Sequence, residues 1–424
     1  MLGRPLSLVS VFIIALTLLG SAPAAAQSGA RWTDSDLAAY SEFVLTGKVI
    51  STDPGWDYAI ETIYTYVTIE VDEVLKGWIP EQRIVLKQLG GLLGEMGLAI
   101  GGQAVFSSGE EVLLFLETRP RDGSLYTTAL WEGKWSIRRG EAARGELALR
   151  TESAADLDPL DAEFEETVDV RPLLPFLEEL RRWAGEESRR APRGLRSFSP
   201  PEAPLPSGEG EAALAIAGSG DGRISPEFSF LDGRWMEVDL GQAITVRIHK
   251  KGEKGVSDKG FDEAVAAADI WSSAGSRLRL ETEPKARFGR RKGCGTRLRT
   301  DGRILMVFRD PCDDMADDGG TLATGGFWYT CATVKVIKGV PFCEIVSGFL
   351  VTNSDSKELQ PYLYNDACFQ EIITHELGHS IGLGHTNKKR AMMYGGLDDD
   401  CLTASSPRQL KPDDRKGLKA IYPK

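Results

Sequence analysis

A chain of 424 residues, 42% of them hydrophobic, is long enough for two or three domains with ordinary cores. Its 62 acidic and 50 basic residues leave a net charge of −12. That balance argues against nucleic acid as a partner, since such proteins favour a basic surface, and it suits a soluble protein. Residues 1–26 read as a signal peptide: Arg4 gives the positive start, Leu6 to Leu19 a short apolar run, and Ala24-Ala25-Ala26 a small-residue cleavage site. The run is shorter than the ~20 residues a spanning helix needs, and no later segment is apolar enough to span. The mature chain is expected to be secreted or periplasmic and not membrane-spanning.

Residues 32–140 read as a mainly-β domain. Phe43–Ile50, Tyr64–Val71, Arg83–Leu89, Glu111–Glu117 and Trp135–Ile137 are strand-like, and Gly90-Gly91 and Gly101-Gly102 are expected as turns between them. Five or more short strands in this span suggest a small barrel or sandwich. Leu45-Thr46-Gly47-Lys48-Val49, Val71–Gly77 and Gly109–Leu116 resemble a netrin-like, OB-type barrel of the kind found in tissue inhibitors of metalloproteinases. Those inhibitors reach zinc through an N-terminal cysteine. This stretch has no cysteine, so a binding or spacer role is the plainer expectation.

Residues 141–190 form a charged connecting segment. Its best helix is Pro172–Glu187, with Leu173, Leu174, Phe176, Leu177 and Leu180 as the apolar face. Residues 197–225, rich in Pro, Gly, Ser and Ala, read as a flexible linker. A second domain is expected over 231–424. Ala243–Ile248 predicts an edge-compatible strand, with His249 continuing its polar, exposed face. Phe261–Ser273 predicts a helix packed through Phe261, Ala264, Ala268 and Trp271. Arg277–Glu281, Arg303–Phe308 and Phe349–Asn353 predict further strands. The implied architecture is an α/β sandwich: a twisted sheet, a helix on it, then a second helix carrying the histidines. All six cysteines lie here, and an even number in an exported chain favours disulfides. Of fifteen pairings, the sequential one is preferred: Cys294–Cys312, Cys331–Cys343 across a hairpin at Lys338-Gly339, and Cys368–Cys401.

Three of the four histidines fall in His375-Glu376-Leu377-Gly378-His379-Ser380-Ile381-Gly382-Leu383-Gly384-His385. Residues four apart share a helix face, so His375 and His379 point the same way. Glu376 lies one step round, Ile373, Leu377 and Ile381 form an apolar stripe, and Gly382 permits the turn that returns His385 as a third ligand. Three neutral imidazoles can hold one Zn2+ with a fourth position open for water, and Glu376 beside it can serve as general base. So rare a residue type in so exact a pattern is improbable by chance.

Over roughly its last 190 residues, and most strongly from Glu371 onward, the chain resembles the matrixin branch of the metzincin peptidases. Ala391-Met392-Met393-Tyr394 resembles the methionine turn, with Met393, eight residues after His385, as the residue under the metal. Leu410–Tyr422 resembles the closing helix, with Asp413 and Asp414 at its start. Gly319–Gly325 resembles the family's edge strand, which implies that Thr321, Leu322, Ala323 and Thr324 pair with substrate backbone. The fold class implied is multidomain, an OB-like barrel followed by a metzincin α/β domain. The function implied is a secreted zinc endopeptidase acting on protein or peptide substrates. Three departures limit the inheritance. There are no spare histidines for a second, structural zinc. Asp310, Asp313, Asp314, Asp317 and Asp318 could instead hold Ca2+, though a solvated acidic loop is the plainer expectation. Gly395-Gly396-Leu397 replaces the proline-containing wall of the specificity pocket. No cysteine stands among the 293 residues before Cys294, so none of them can supply a latency thiol. Two alternatives remain: a non-enzymatic binding protein with a vestigial zinc site, and a peptidase regulated by intramolecular contact with its own N-terminal barrel.

Overall fold

The computed structural model describes residues 32–119, 122–139, 146–150, 169–184, 228–295, 297–313, 315, 321–354, 360–386, 388–396, 400–403 and 406–424. The expected signal peptide, the linker, much of the 141–190 segment, and Asp314, Asp317 and Asp318 lie outside them. No described helix is long and apolar enough to cross a membrane.

The N-terminal part starts with α1 (Asp34–Tyr40), where the Thr33 hydroxyl accepts from the Asp36 N–H as a cap. Ten strands follow: β1 (Phe43–Asp57), β2 (Thr62–Lys76), β3 (Arg83–Leu89), β4 (Gly91–Leu93), β5 (Met96–Ile100), β6 (Glu111–Thr118), β7 (Leu125–Thr127), β8 (Lys134–Arg139), β9 (Glu146–Arg150) and β10 (Asp169–Pro172). Helix α2 (Leu173–Ala184) ends the series. Eight of these strands form one sheet in the order β1-β2-β3-β7-β6-β8-β9-β10. β1 pairs with β6 as well as with β2, so the pairing runs from β1 through β2, β3 and β7 to β6 and back to β1. Register shifts along β1 let so long a strand bend.

Both faces of this sheet are covered, which explains the unbroken apolar run in β6. Leu114 and Val112 join Leu45, Val67 and Ile69 on one side. Leu113 and Phe115 join Val44, Trp135 and the helices on the other. Helix α2 docks through Leu173, Phe176, Leu177 and Leu180. Leu174, expected on that face, is 66% exposed; one residue along a helix is about 100° of rotation, which carries it off the stripe.

β4 and β5 do not join this sheet. They form a hairpin at one end of a second sheet that otherwise belongs to the C-terminal part. Its own strands are β11 (Gly233–Arg234), β12 (Ile244–His249), β13 (Leu280–Ala286), β14 (Arg303–Val307), β15 (Ala323–Ile337) and β16 (Val340–Thr352). The order is β13-β12-β14-β16-β15-β5-β4, with β11 paired to β16. β13, β12, β14 and β16 are mutually parallel, while β15, β5 and β4 alternate in direction, so the sheet is mixed. β15 and β16 turn at Lys338 and Gly339, both at positive φ.

Helices α3 (Phe261–Ser272), α4 (Gln360–Leu363), α5 (Asp366–Ser380), α6 (Asp400–Thr403) and α7 (Pro412–Ile421) complete the C-terminal part. α3 and α5 share one core with the sheet, built from Val246, Ile248, Ala264, Trp271, Ile304, Met306, Leu350, Ile372 and Leu377. β12 lies inside the sheet, between β13 and β14, and not at an edge. His249 is accordingly 3% exposed, with its ring edge-on to Phe288. Burial holds its pKa below the usual histidine value. β13 begins at Leu280, three residues later than the expected Arg277 start. The six cysteines pair sequentially, as preferred from the sequence: Cys294–Cys312, Cys331–Cys343 and Cys368–Cys401.

Candidate metal centre

Helix α5 starts where the Asn365 side chain accepts from the Cys368 N–H. The expected apolar stripe is buried, and so is the opposite face: every residue from Glu371 to Ser380 is buried. A helix enclosed on all sides needs partners for its polar groups. Trp271 Nε1 donates to Thr374 O at 2.8 Å, and Trp235 Nε1 donates to Ser380 O at 3.0 Å. Ser380 Oγ donates to Phe349 O at 2.6 Å, and Tyr422 OH donates to Ile381 O at 2.9 Å. Gly382 then turns the chain at φ 102°, a value that side chains resist. A strap at residues 228–231 holds the returning loop. Gly384 N donates to Ser229 O, Leu231 N to Gly382 O, and Ser229 Oγ to His385 O.

The three expected histidines converge. His375 Nε2 lies 3.0 Å from His385 Nε2, and His379 Nε2 lies 3.1 Å from each of the other two. His375 Nδ1 faces Met392 O at 2.7 Å, and His379 Nδ1 faces Leu383 O at 2.8 Å. A carbonyl can only accept, so both Nδ1 atoms carry the proton and both Nε2 atoms present a lone pair. Two lone pairs aimed at each other at 3.1 Å make no hydrogen bond. They make a place for a cation. Zn–N bonds of about 2.0 Å at tetrahedral angles need nitrogens about 3.3 Å apart, so the spacing suits zinc. These three form the metal-capable cluster found among the described residues. Burial holds His375 down to about 3, helped by the adjacent His385, and it holds His379 well below its usual value. Both rings are therefore neutral near pH 7, the form that ligates a metal.

Glu376 is fully buried beside them. Among the described residues neither carboxylate oxygen meets a donor at hydrogen-bond distance. Burial raises its pKa well above the usual carboxylate value, and only the Gly325 backbone opposes that. A buried carboxyl with the Gly325 backbone as its one nearby support is costly, and such groups concentrate at functional sites.

The turn at Ala391–Tyr394 packs against helix α5. Met393 Sδ presses on α5 at Gly378, where any Cβ would collide with it and lie 2.9 Å from Trp271. Met392 is buried too, and its carbonyl is the group that orients His375. Asp414, near the start of α7, accepts from Met392 N at 2.9 Å, Met393 N at 3.0 Å and Lys411 N at 2.7 Å. Arg408 and Glu371 add a buried ion pair at 3.0 Å between the last loop and α5.

The expected substrate strand runs into Gly325, where any Cβ would collide with Glu376 O. Ala323 and Thr324 open β15, Thr321 and Leu322 precede it, and Leu322 and Ala323 are buried in the core. Asp310 accepts from Cys312 N and Met315 N, the bonding of a turn. Sequence reasoning missed the β4–β5 hairpin. β5 pairs antiparallel with β15 from Met96↔Thr330 to Ile100↔Gly326, and Gly101 N donates to Gly325 O at 3.0 Å. The available signal is Gly90, Gly97 and Gly101, glycines that allow close backbone approach; Gly90 and Gly101 fall in the pairs expected as turns.

A mixed sheet, a helix on it that carries the histidines and the Met392-Met393 turn against that helix are compatible with a metzincin-type organisation. Residues 243–423 match the family model of the matrixins, which supports a matrixin-like metallopeptidase domain in this part of the chain. No curated protein matches the chain.

Proposed function

We propose that the chain is an exported, zinc-dependent endopeptidase. In this reading His375, His379 and His385 hold the metal and Glu376 is the general base. The observation that carries it is the convergence of three imidazole Nε2 atoms beside the buried Glu376 carboxyl. A zinc ion held there would supply Lewis-acid polarisation of water and of the scissile carbonyl. Glu376 would take a proton from the attacking water on a carboxylate oxygen and return it to the departing amine nitrogen. Met392 O and Leu383 O keep the proton of His375 and His379 on Nδ1, so Nε2 stays free to ligate. Asp414 fixes the Met392 and Met393 amides and so the floor of the site. No side chain attacks the substrate, so no covalent intermediate is expected.

The family match and the three disulfides support this reading, and disulfides suit an oxidising compartment. The ring of pairing from β1 to β6 and back supports an OB-type barrel over residues 32–140, joined through 141–190 and 197–225 to the peptidase domain at 231–424. The test is metal removal. Peptide-library cleavage by the zinc-loaded chain should vanish with a chelator and return with one equivalent of zinc; cleavage indifferent to chelator rules the reading out.

A further inference from the structure

We infer that the β4–β5 hairpin is a built-in occupant of the strand position a substrate backbone would take, so that the intact chain is latent. This rests on the peptidase reading above. β15 is the last antiparallel strand contributed by the C-terminal part, and its outer side is the open edge for strand addition. β5 fills that edge. Its ladder covers Gly326 to Thr330 and is closed by Gly101 N→Gly325 O at 3.0 Å at one end and Cys331 N→Glu95 O at 2.8 Å at the other.

The added strand leads to the metal ligands. A Cβ on Gly101 would fall within the His379 ring, 2.6 Å from Nε2. A Cβ on Gly97 would fall within the Tyr329 ring. Glycines at these two positions therefore let backbone lie where a substrate's backbone must lie. All three histidines and Glu376 are at most 4% exposed, whereas a hydrolytic site must admit a polypeptide.

The hairpin is also anchored from behind. Gly90 N donates to Ile63 O, and Thr65 Oγ1 donates to Gly90 O. Leu98 and Ile100 share an apolar cluster with Ile63 of the N-terminal sheet and with Trp328, Phe349 and Val351 of the C-terminal one. A tethered occupant competes at an effective concentration of about millimolar, so modest strand affinity suffices to exclude free peptides. Activity then requires withdrawal of the hairpin, a shift between two arrangements of the same chain.

Two full-chain variants test this. Ala99→Pro removes the N–H that antiparallel alternation directs to Phe327 O, and Gly101→Val cannot fit against His379. The readouts on zinc-loaded protein are amide hydrogen exchange in β15, the association rate of a fluorescent peptide hydroxamate, and peptide-library cleavage. The variants should expose Gly325–Thr330 to exchange and speed both association and cleavage by about tenfold or more. Wild-type protein that binds the hydroxamate as fast as the variants, with β15 still protected, overturns the inference. Faster hydroxamate binding without cleavage in any form upholds the hairpin's role and sinks the peptidase reading. Equal, rapid cleavage by every form does the reverse. If both variants fail to fold, wild-type protein decides: saturating hydroxamate must raise exchange at Gly97 and Ala99, and unchanged protection there overturns the inference.

Discussion

His375 and His379 share a helix face because they are four residues apart, and that much was legible from spacing alone. What spacing could not supply is the set of groups that orient them. The Met392 and Leu383 carbonyls fix both tautomers, and neither could be named from a motif, since a backbone carbonyl has no sequence signature. Asp414 was expected near the start of the closing helix, yet its main work is to bind two amides of the methionine turn. Asp414→Ala strands the two buried N–H groups of Met392 and Met393 and should destabilise the fold by roughly 2–4 kcal/mol. It should also weaken zinc binding about tenfold. Calorimetry and a competitive zinc titration check both numbers; an unchanged zinc affinity would remove Asp414 from the site's support. His249 marks the opposite failure. Its alternation with Thr245 and Arg247 suggested exposure, but β12 is an inner strand, and Phe288 covers the ring.

Helices read well where one face is apolar, as with α2, α3 and α7. The centre of α5 resisted that logic because both of its faces are enclosed, one by core and one by the site. The Cys368–Cys401 bond ties the start of α5 to α6 across 33 residues. Replacing both cysteines by serine should cost about 2–4 kcal/mol, read as a lowered denaturation midpoint; an unchanged midpoint would make the bond ornamental. Arg234 on β11 and Lys335 on β15 meet at Asp239. The Arg234 hydrogen bond, aided by Lys335, holds the Asp239 carboxyl down to about 2. An unfolded Asp titrates near ~3.9, so this contact stabilises the fold above that pH. Its contribution is lost as pH falls from about 4 toward about 2. Asp239→Asn should flatten that part of the stability–pH curve, and a curve of unchanged slope would contradict the assignment.

At the scale of the whole molecule, each half was legible but their joining was not. Strand periodicity located β1, β2, β3 and β6, and the histidine motif located α5. The β4–β5 hairpin escaped because Gly91–Leu93 and Met96–Ile100 are too short and too glycine-rich to read as strands. Met96–Ile100 becomes a strand by pairing with β15, more than 220 residues away in sequence, and Gly91–Leu93 pairs with Met96–Ile100 in turn. Metal should bind the folded state alone, since unfolding scatters the three ligands. Saturating zinc should therefore raise Tm, and chelation should lower it; a Tm indifferent to both would mean that the three nitrogens hold no ion. The most direct measurement compares Glu376→Ala with the native chain, both carrying Ala99→Pro and both zinc-loaded. The account predicts one zinc per chain in each, with peptide cleavage reduced about 10²–10⁴-fold in the alanine variant. Cleavage at the native rate with Glu376 absent would contradict it.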